Sequence, residues 1–111
     1  MDKGVYLIVV KVNVDGVLKE SVVLVEGYHY SDNLFVHRSY NSNNKNNWVM
    51  TCKHTGRVLC TSNSSRNNLI KIYEDIYQET YRKFITEKRQ MYISLKGVYD
   101  DLVIKYKGGC L

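Results

Sequence analysis

Residues 5–26 constrain the fold more than any other part of this chain. VYLIVVKVNV and VLKESVVLVE are two runs rich in β-branched residues, joined by Asp15-Gly16. β-branched side chains suit a pleated surface, and Asp-Gly accepts the positive φ values of a two-residue hairpin turn. The two runs therefore predict a long antiparallel hairpin. Tyr6, Ile8, Val10 and Val12 take one face of its first strand, and Leu7, Val9, Lys11 and Asn13 take the other. Both faces are apolar over Leu7–Val10 and Val22–Val25, so a helix is expected over at least one side.

Gly27 breaks this run, Tyr28-His29-Tyr30 leads into a polar turn at Ser31–Asn33, and Leu34 to Tyr40 reads as a third strand. NSNNKNN, residues 41–47, has nothing to bury and reads as a flexible Asn-rich loop. Trp48 to Lys53 and Arg57 to Thr61 predict a second hairpin around Thr55-Gly56. Beyond the capping residues of SNSSRNN the apolar period changes from 2 to 3.6. Leu69, Ile72, Tyr73, Ile76, Tyr77, Thr80, Phe84 and Ile85 share one face of a helix expected over 67–88. The tail MYISLKGVYDDLVIKYK fits either two short strands around Gly97–Asp101 or a second helix interrupted at Gly97. Its β-branched and aromatic content favours strands. The expected architecture is a single α+β domain over 1–111. It is an antiparallel sheet of four to six strands with one long amphipathic helix packed on it.

No stretch reaches the roughly 18 apolar residues of a membrane span. Asp2 stands where a signal peptide would be basic, and the apolar run at Val5–Val10 is short. A cytoplasmic location in a host cell is expected, with reduced thiols. Sixteen Lys and Arg against eleven Asp and Glu give a net charge of +5, which favours anionic partners and also serves solubility. A vocabulary rich in Asn, Lys and Tyr, without proline, is that of an AT-rich genome or a mobile element.

TCKHTGRVLC, residues 51–60, holds two of the three cysteines and one of the three histidines. A Thr55-Gly56-Arg57 loop would place Cys52 opposite Cys60 with His54 on the same face. A His54-Thr55-Gly56 loop, with Gly56 left-handed, keeps the cysteines on one face and moves His54 out to the turn; a two-residue loop separates the cysteines. Cys52, His54 and Cys60, with Cys110 (or else His37 or His29) as a fourth ligand, are the candidate donors of a structural zinc. Small buried hydrophobes, the usual state of free cysteines, and a cross-strand disulfide or redox pair are the other readings.

No GxGxxG, P-loop, HExxH or GxSxG motif is present, and no catalytic residue set is assigned. His29 and His37 could serve a small ribonuclease as acid and base, though isolated strand histidines are more often half-buried structural residues. Arg38, Lys45, Lys53, Arg57 and Arg66 fall in strand ends and loops near the helix start and are the candidate partner contacts. Tyr28, Tyr30, Tyr40 and Trp48 offer stacking faces nearby. The mixture suits a nucleotide, a nucleic acid, or a protein that binds nucleic acid.

Trp48-Val-Met-Thr51, followed by Thr55-Gly56, resembles the W-x-V-T-H-x-x-T-G segment of small phage-encoded proteins. Trp48, Thr51, Thr55 and Gly56 match in spacing, while Met50 and Cys52 depart from the pattern. With its length and composition, the chain is similar to small phage anti-defence proteins of the type II anti-CRISPR kind, which are compact and act by binding. That resemblance implies a non-enzymatic inhibitor of a host defence nucleoprotein such as a CRISPR-Cas effector. The alternatives are a sponge for a nucleotide signal and a small RNA-binding or ribonuclease-like toxin.

Overall fold

The structure, a computed structural model, describes residues 1–40 and 46–109. The long hairpin is present as expected: β1 (Lys3–Val14) and β2 (Val17–His29) pair from Lys3↔Tyr28 to Val14↔Val17. Asp15 and Gly16 take φ of 54° and 83°, and the Asn13 side-chain oxygen accepts from the Gly16 N–H at 2.9 Å. β3 (Leu34–Arg38), β4 (Trp48–Cys52) and β5 (Val58–Ser62) follow. Together they make a five-stranded antiparallel sheet in the order β1-β2-β3-β4-β5. With the helices below, the fold is α+β.

The sheet curls until its ends meet. The Val9 N–H on the outer edge of β1 donates to the Gly56 carbonyl in the β4–β5 turn at 3.0 Å, and Arg57 beside it pairs with Glu20 of β2. Inside the curl Tyr6 stacks on Phe35 at 4.1 Å, and Ile8, Phe35, His37, Val49 and Thr51 are buried. The opposite face carries Leu34, Val36, Met50, Cys52 and Cys60, against which Leu69, Tyr73, Tyr81 and Tyr92 of the helices pack. The sheet is thus covered on one side by helix and on the other by its own curvature.

The helical half departs from expectation twice. Ser65 caps α1 (Arg66–Ile72), its hydroxyl accepting from the Asn68 N–H at 3.0 Å. A π-helical turn (Tyr73–Tyr77) then precedes α2 (Gln78–Thr86), with the Gln78 N–H reaching back five residues to the Tyr73 carbonyl. One extra residue in the turn moves the downstream inward position on by one. Tyr81 is buried in consequence, while Ile76, expected inside, is 64% exposed. Second, residues 91–107 are not strands. They belong to one continuous helix, α3 (Arg89–Gly109). Tyr92, Leu95, Tyr99 and Leu102 repeat every three or four residues along its inner side. Tyr92 packs edge-on against Phe84 at 5.8 Å, and the Tyr99 hydroxyl donates to the Leu7 carbonyl at 2.9 Å. These tertiary contacts outweigh a β propensity worth at most about 1 kcal/mol across its scale. No described helix is long and apolar enough to cross a membrane.

Candidate anion and nucleic-acid interface

Two of the five expected contact residues come together. Arg38, the last residue of β3, lies directly opposite Trp48, the first of β4, and facing side chains in an antiparallel pair lie on one side of the sheet. The Arg38 guanidinium carbon sits 4.2 Å from the indole centre, and its Nη1 donates to the Asn46 carbonyl at 3.0 Å. Arg66 opens α1 and brings its guanidinium carbon to 4.8 Å over Tyr28 and 5.8 Å over Trp48. Tyr28 and Trp48 are themselves 6.1 Å apart. Two cations are therefore stacked on two rings that touch each other.

The chain folds this way locally for simple reasons. Tyr28 pairs with Val36 and Trp48 with Arg38, so strand register alone brings both rings to the helix side of the sheet. Ser62 ends β5, and Asn68 donates to the hydroxyls of Ser62 and Ser64 at 3.2 and 2.8 Å. This ties the start of α1 against the strand end and sets Arg66 over the rings. A hollow of about 420 Å³ lies here, lined by Tyr28, Arg38, Trp48, Ser64, Arg66 and Asn67. A second, of about 540 Å³, shares Tyr28, Arg38 and Trp48 with it and continues past Tyr40 to Lys3. The result is a track of basic and aromatic groups that ends at an ion pair, Lys3 with Glu26 at 3.3 Å. Among the described residues Arg66 has no hydrogen-bond or carboxylate partner, so its N–H edge is open to an added acceptor.

The other expected contacts lie elsewhere. Lys53 follows the far end of β4, about 16 Å along the strand from Trp48 at roughly 3.3 Å per residue. Its ammonium donates to His29 Nδ1 at 2.6 Å and sits 5.7 Å from the Tyr6 ring. Arg57 is committed to Glu20, whose carboxyl it holds below the usual range. Lys45 lies outside the described residues, as do most positions of the Asn-rich loop. Tyr30, offered as a stacking face, packs instead on Tyr73 and donates to Glu74; burial pushes its phenol up to about 12.

Gly56 is left-handed, with φ of +64°, but the turn is none of the three expected loops: it spans Lys53–Gly56, with the Cys52 N–H donating to the Arg57 carbonyl at 3.0 Å and the Gly56 N–H to the Cys52 carbonyl at 2.9 Å. Met50 faces Cys60, a bulge follows, and Thr51 faces Val58. Cys52 and Cys60 are free, buried thiols on the helix side of the sheet. The Tyr81 hydroxyl donates to Cys52 Sγ at 2.9 Å, and burial pushes the Cys60 thiol up to about 11. His54 is held by Asn33 at 2.9 Å and packs edge-on against Tyr92. Among the described residues no three His, Cys, Asp or Glu side chains are grouped to hold a metal ion; Cys110 lies outside them.

His37 is occupied on both nitrogens. Nδ1–H donates to the Arg38 carbonyl at 2.7 Å, which leaves Nε2 to accept from the Thr51 hydroxyl at 2.8 Å. Burial keeps this imidazole neutral by lowering its pKa. It braces β3 against β4 from inside the curl. His29, exposed at the end of β2, takes the Lys53 ammonium on Nδ1, while its Nε2 has no partner among the described residues.

Reading along the chain singled out Tyr28, Tyr40 and Trp48 beside the arginines but missed Lys3, Ser64 and Asn67. Lys3 carries no local signal, because it reaches the track only through the β1–β2 register. No family model, no curated protein and no solved structure matches the chain.

Proposed function

We propose that this chain acts by binding rather than by catalysis. In this reading it is a phage or mobile-element protein that inhibits a host defence nucleoprotein, such as a CRISPR effector, by covering its RNA-bearing surface. One observation carries the proposal: Arg38 and Arg66 stack on Trp48 and Tyr28 along a single groove. A guanidinium over a ring face keeps N–H groups to donate, and a phosphate can take two parallel hydrogen bonds from such a group; Arg66 has all of its side-chain donors uncommitted, and Arg38 all but the one on Asn46. The rings between the cations accept unstacked bases without regard to sequence. A net charge of +5 adds long-range attraction to RNA.

Capture of a purified effector with and without its guide RNA tests the proposal. Binding that depends on guide RNA is expected, as is its loss in the double variant Arg38→Ala/Arg66→Ala. No capture in either state overturns it. The hollow of about 420 Å³ at Arg66 also suits a mononucleotide, which supports the sponge as second reading. A thermal-shift series with cyclic nucleotides separates the two. Ligand at 100 times its dissociation constant adds about 2.7 kcal/mol to the stability of a true receptor.

A further inference from the structure

The two hollows that share Tyr28, Arg38 and Trp48 differ in charge. The one toward Lys3 also holds Glu26, which pairs with Lys3 at 3.3 Å. Glu26 and Arg38 flank the Gly27–His37 pair of the β2–β3 ladder, so a carboxylate stands near Arg38 on that side and repels an incoming phosphate. The other hollow, of about 420 Å³, is walled by Ser64, Ser65, Arg66 and Asn67, and no acidic residue lines it. The first turn of α1 has none either, and Glu74 further along accepts from the Tyr30 hydroxyl. Positive charge is therefore left uncompensated at one end of the track only.

Arg38 and Arg66 converge at that end, their guanidinium carbons 4.2 and 5.8 Å from the same indole centre. Two like charges gathered over one ring repel each other unless an anion joins them. The smaller donors beside them are also open. Ser65 Oγ accepts from the Asn68 N–H, which leaves the hydroxyl hydrogen to donate. The Asn67 side chain has no hydrogen-bond partner among the described residues.

We propose that this hollow takes the terminal phosphomonoester of a single-stranded RNA, with the adjoining base stacked on Trp48 or Tyr28. The inference rests on the reading of the track as an RNA-binding surface and names the part of the strand it holds. An internal phosphodiester has two unbridged oxygens and one negative charge, which a single guanidinium satisfies with one bidentate pair. A phosphomonoester has three such oxygens and a charge of about −1.5 to −2 at pH 7. It can serve both arginines at once and still accept from Ser65 or Asn67.

Three oligouridylates test this through quenching of Trp48 fluorescence at one fixed salt concentration. They are a tetramer with a 5′-phosphate, a tetramer with a 3′-phosphate, and a hexamer with hydroxyl ends, whose total charge is about that of the tetramers. At least one phosphate-ended tetramer should bind about tenfold more tightly than the hexamer, and the comparison of the two tetramers shows which end is held. In Arg66→Gln that preference should fall to no more than about twofold, whatever the loss in affinity common to all three. Asn67→Asp, an exposed position that leaves both arginines in place, should do the same by setting a carboxylate in the hollow. A hexamer that binds as tightly as both tetramers overturns the proposal and leaves the track an RNA site. A preference that survives in both variants also overturns it. Binding of none of the three removes the RNA reading together with it.

Discussion

Arg38 and Trp48 stand directly opposite each other in the β3–β4 ladder, with the guanidinium carbon 4.2 Å from the indole centre. Strand pairing, rather than loop conformation, sets this contact. The cation is also anchored at its far end by the Asn46 carbonyl, so its plane is held before any partner arrives. Preorganisation of this kind lowers the entropic cost of binding.

Trp48 is the single tryptophan, so intrinsic fluorescence reports on the track directly. Titration with a short single-stranded uridine oligonucleotide should quench it at low salt. Trp48→Ala should weaken binding roughly ten- to a hundred-fold, since stacking contributes about 1–3 kcal/mol per base. The Arg38→Ala/Arg66→Ala pair should instead reduce the salt slope of log K by about one to two units, through lost phosphate contacts. An unquenched emission at low salt would remove nucleic acid from the list of partners.

The strands were legible because each is specified within a few residues. Asp15-Gly16 and the β-branched alternation on either side of it determine the first hairpin and its register without help from the rest of the chain. The arginine track was half legible. Arg38, Arg66, Tyr28 and Trp48 could be grouped by their nearness to the helix start, but Lys53 and Arg57 satisfy the same criterion and lie apart. Sequence proximity does not say at which end of a strand a cation falls. The π turn was invisible, because a period of 3.6 carries across Tyr73–Tyr77 with no break in apolar content. The tail was misread for a related reason. Its residues prefer strands locally, and their helical spacing decides the matter only because Phe84, Leu7 and Gly56 wait on the other side.

The π turn makes a paired prediction about stability. Ile76 continues the apolar stripe in sequence yet is 64% exposed, so Ile76→Lys should change unfolding free energy by no more than about 0.5 kcal/mol. Leu69, fully buried one turn before Tyr73, should cost about 2–5 kcal/mol when cut to Ala. Urea unfolding curves of the two variants measure both. A large loss in Ile76→Lys would mean that the helix runs through without the extra residue.

His37 gives the fold a sensitivity to mild acid. Burial lowers its pKa, so the folded protein refuses a proton that the unfolded chain accepts below about pH 6.5. The unfolded state then binds more protons, and stability falls as pH drops through that value. His54 acts in the same direction, through burial and then the nearby charges of Lys96 and Lys53. The melting temperature should therefore decline between pH 7.5 and 5.5, before the carboxylates titrate. His37→Gln should lower stability at neutral pH and flatten that decline. An equal slope in wild type and variant would assign the acid sensitivity elsewhere.

Two glycines should respond to alanine in opposite directions. Gly56 has φ of +64°, and a Cβ there would lie 2.8 Å from the Tyr99 ring and 2.9 Å from Val9. Left-handed backbone alone costs a residue with a Cβ about 1–2 kcal/mol. Here the clash also pries the β4–β5 turn from β1, so Gly56→Ala should lose at least about 2 kcal/mol and weaken the Val9–Gly56 closure. Gly97 lies inside α3 with nothing within 4 Å of an added Cβ. Gly97→Ala should stabilise by about 0.5–1 kcal/mol, because alanine loses less backbone entropy in a helix. The second result distinguishes the two structures the tail could form. A turn between strands at Gly97 would gain nothing from alanine and would lose stability wherever the turn needs positive φ. A rise in the denaturation midpoint is therefore expected only of the helix that carries Tyr92 to Phe84 and Tyr99 to Leu7.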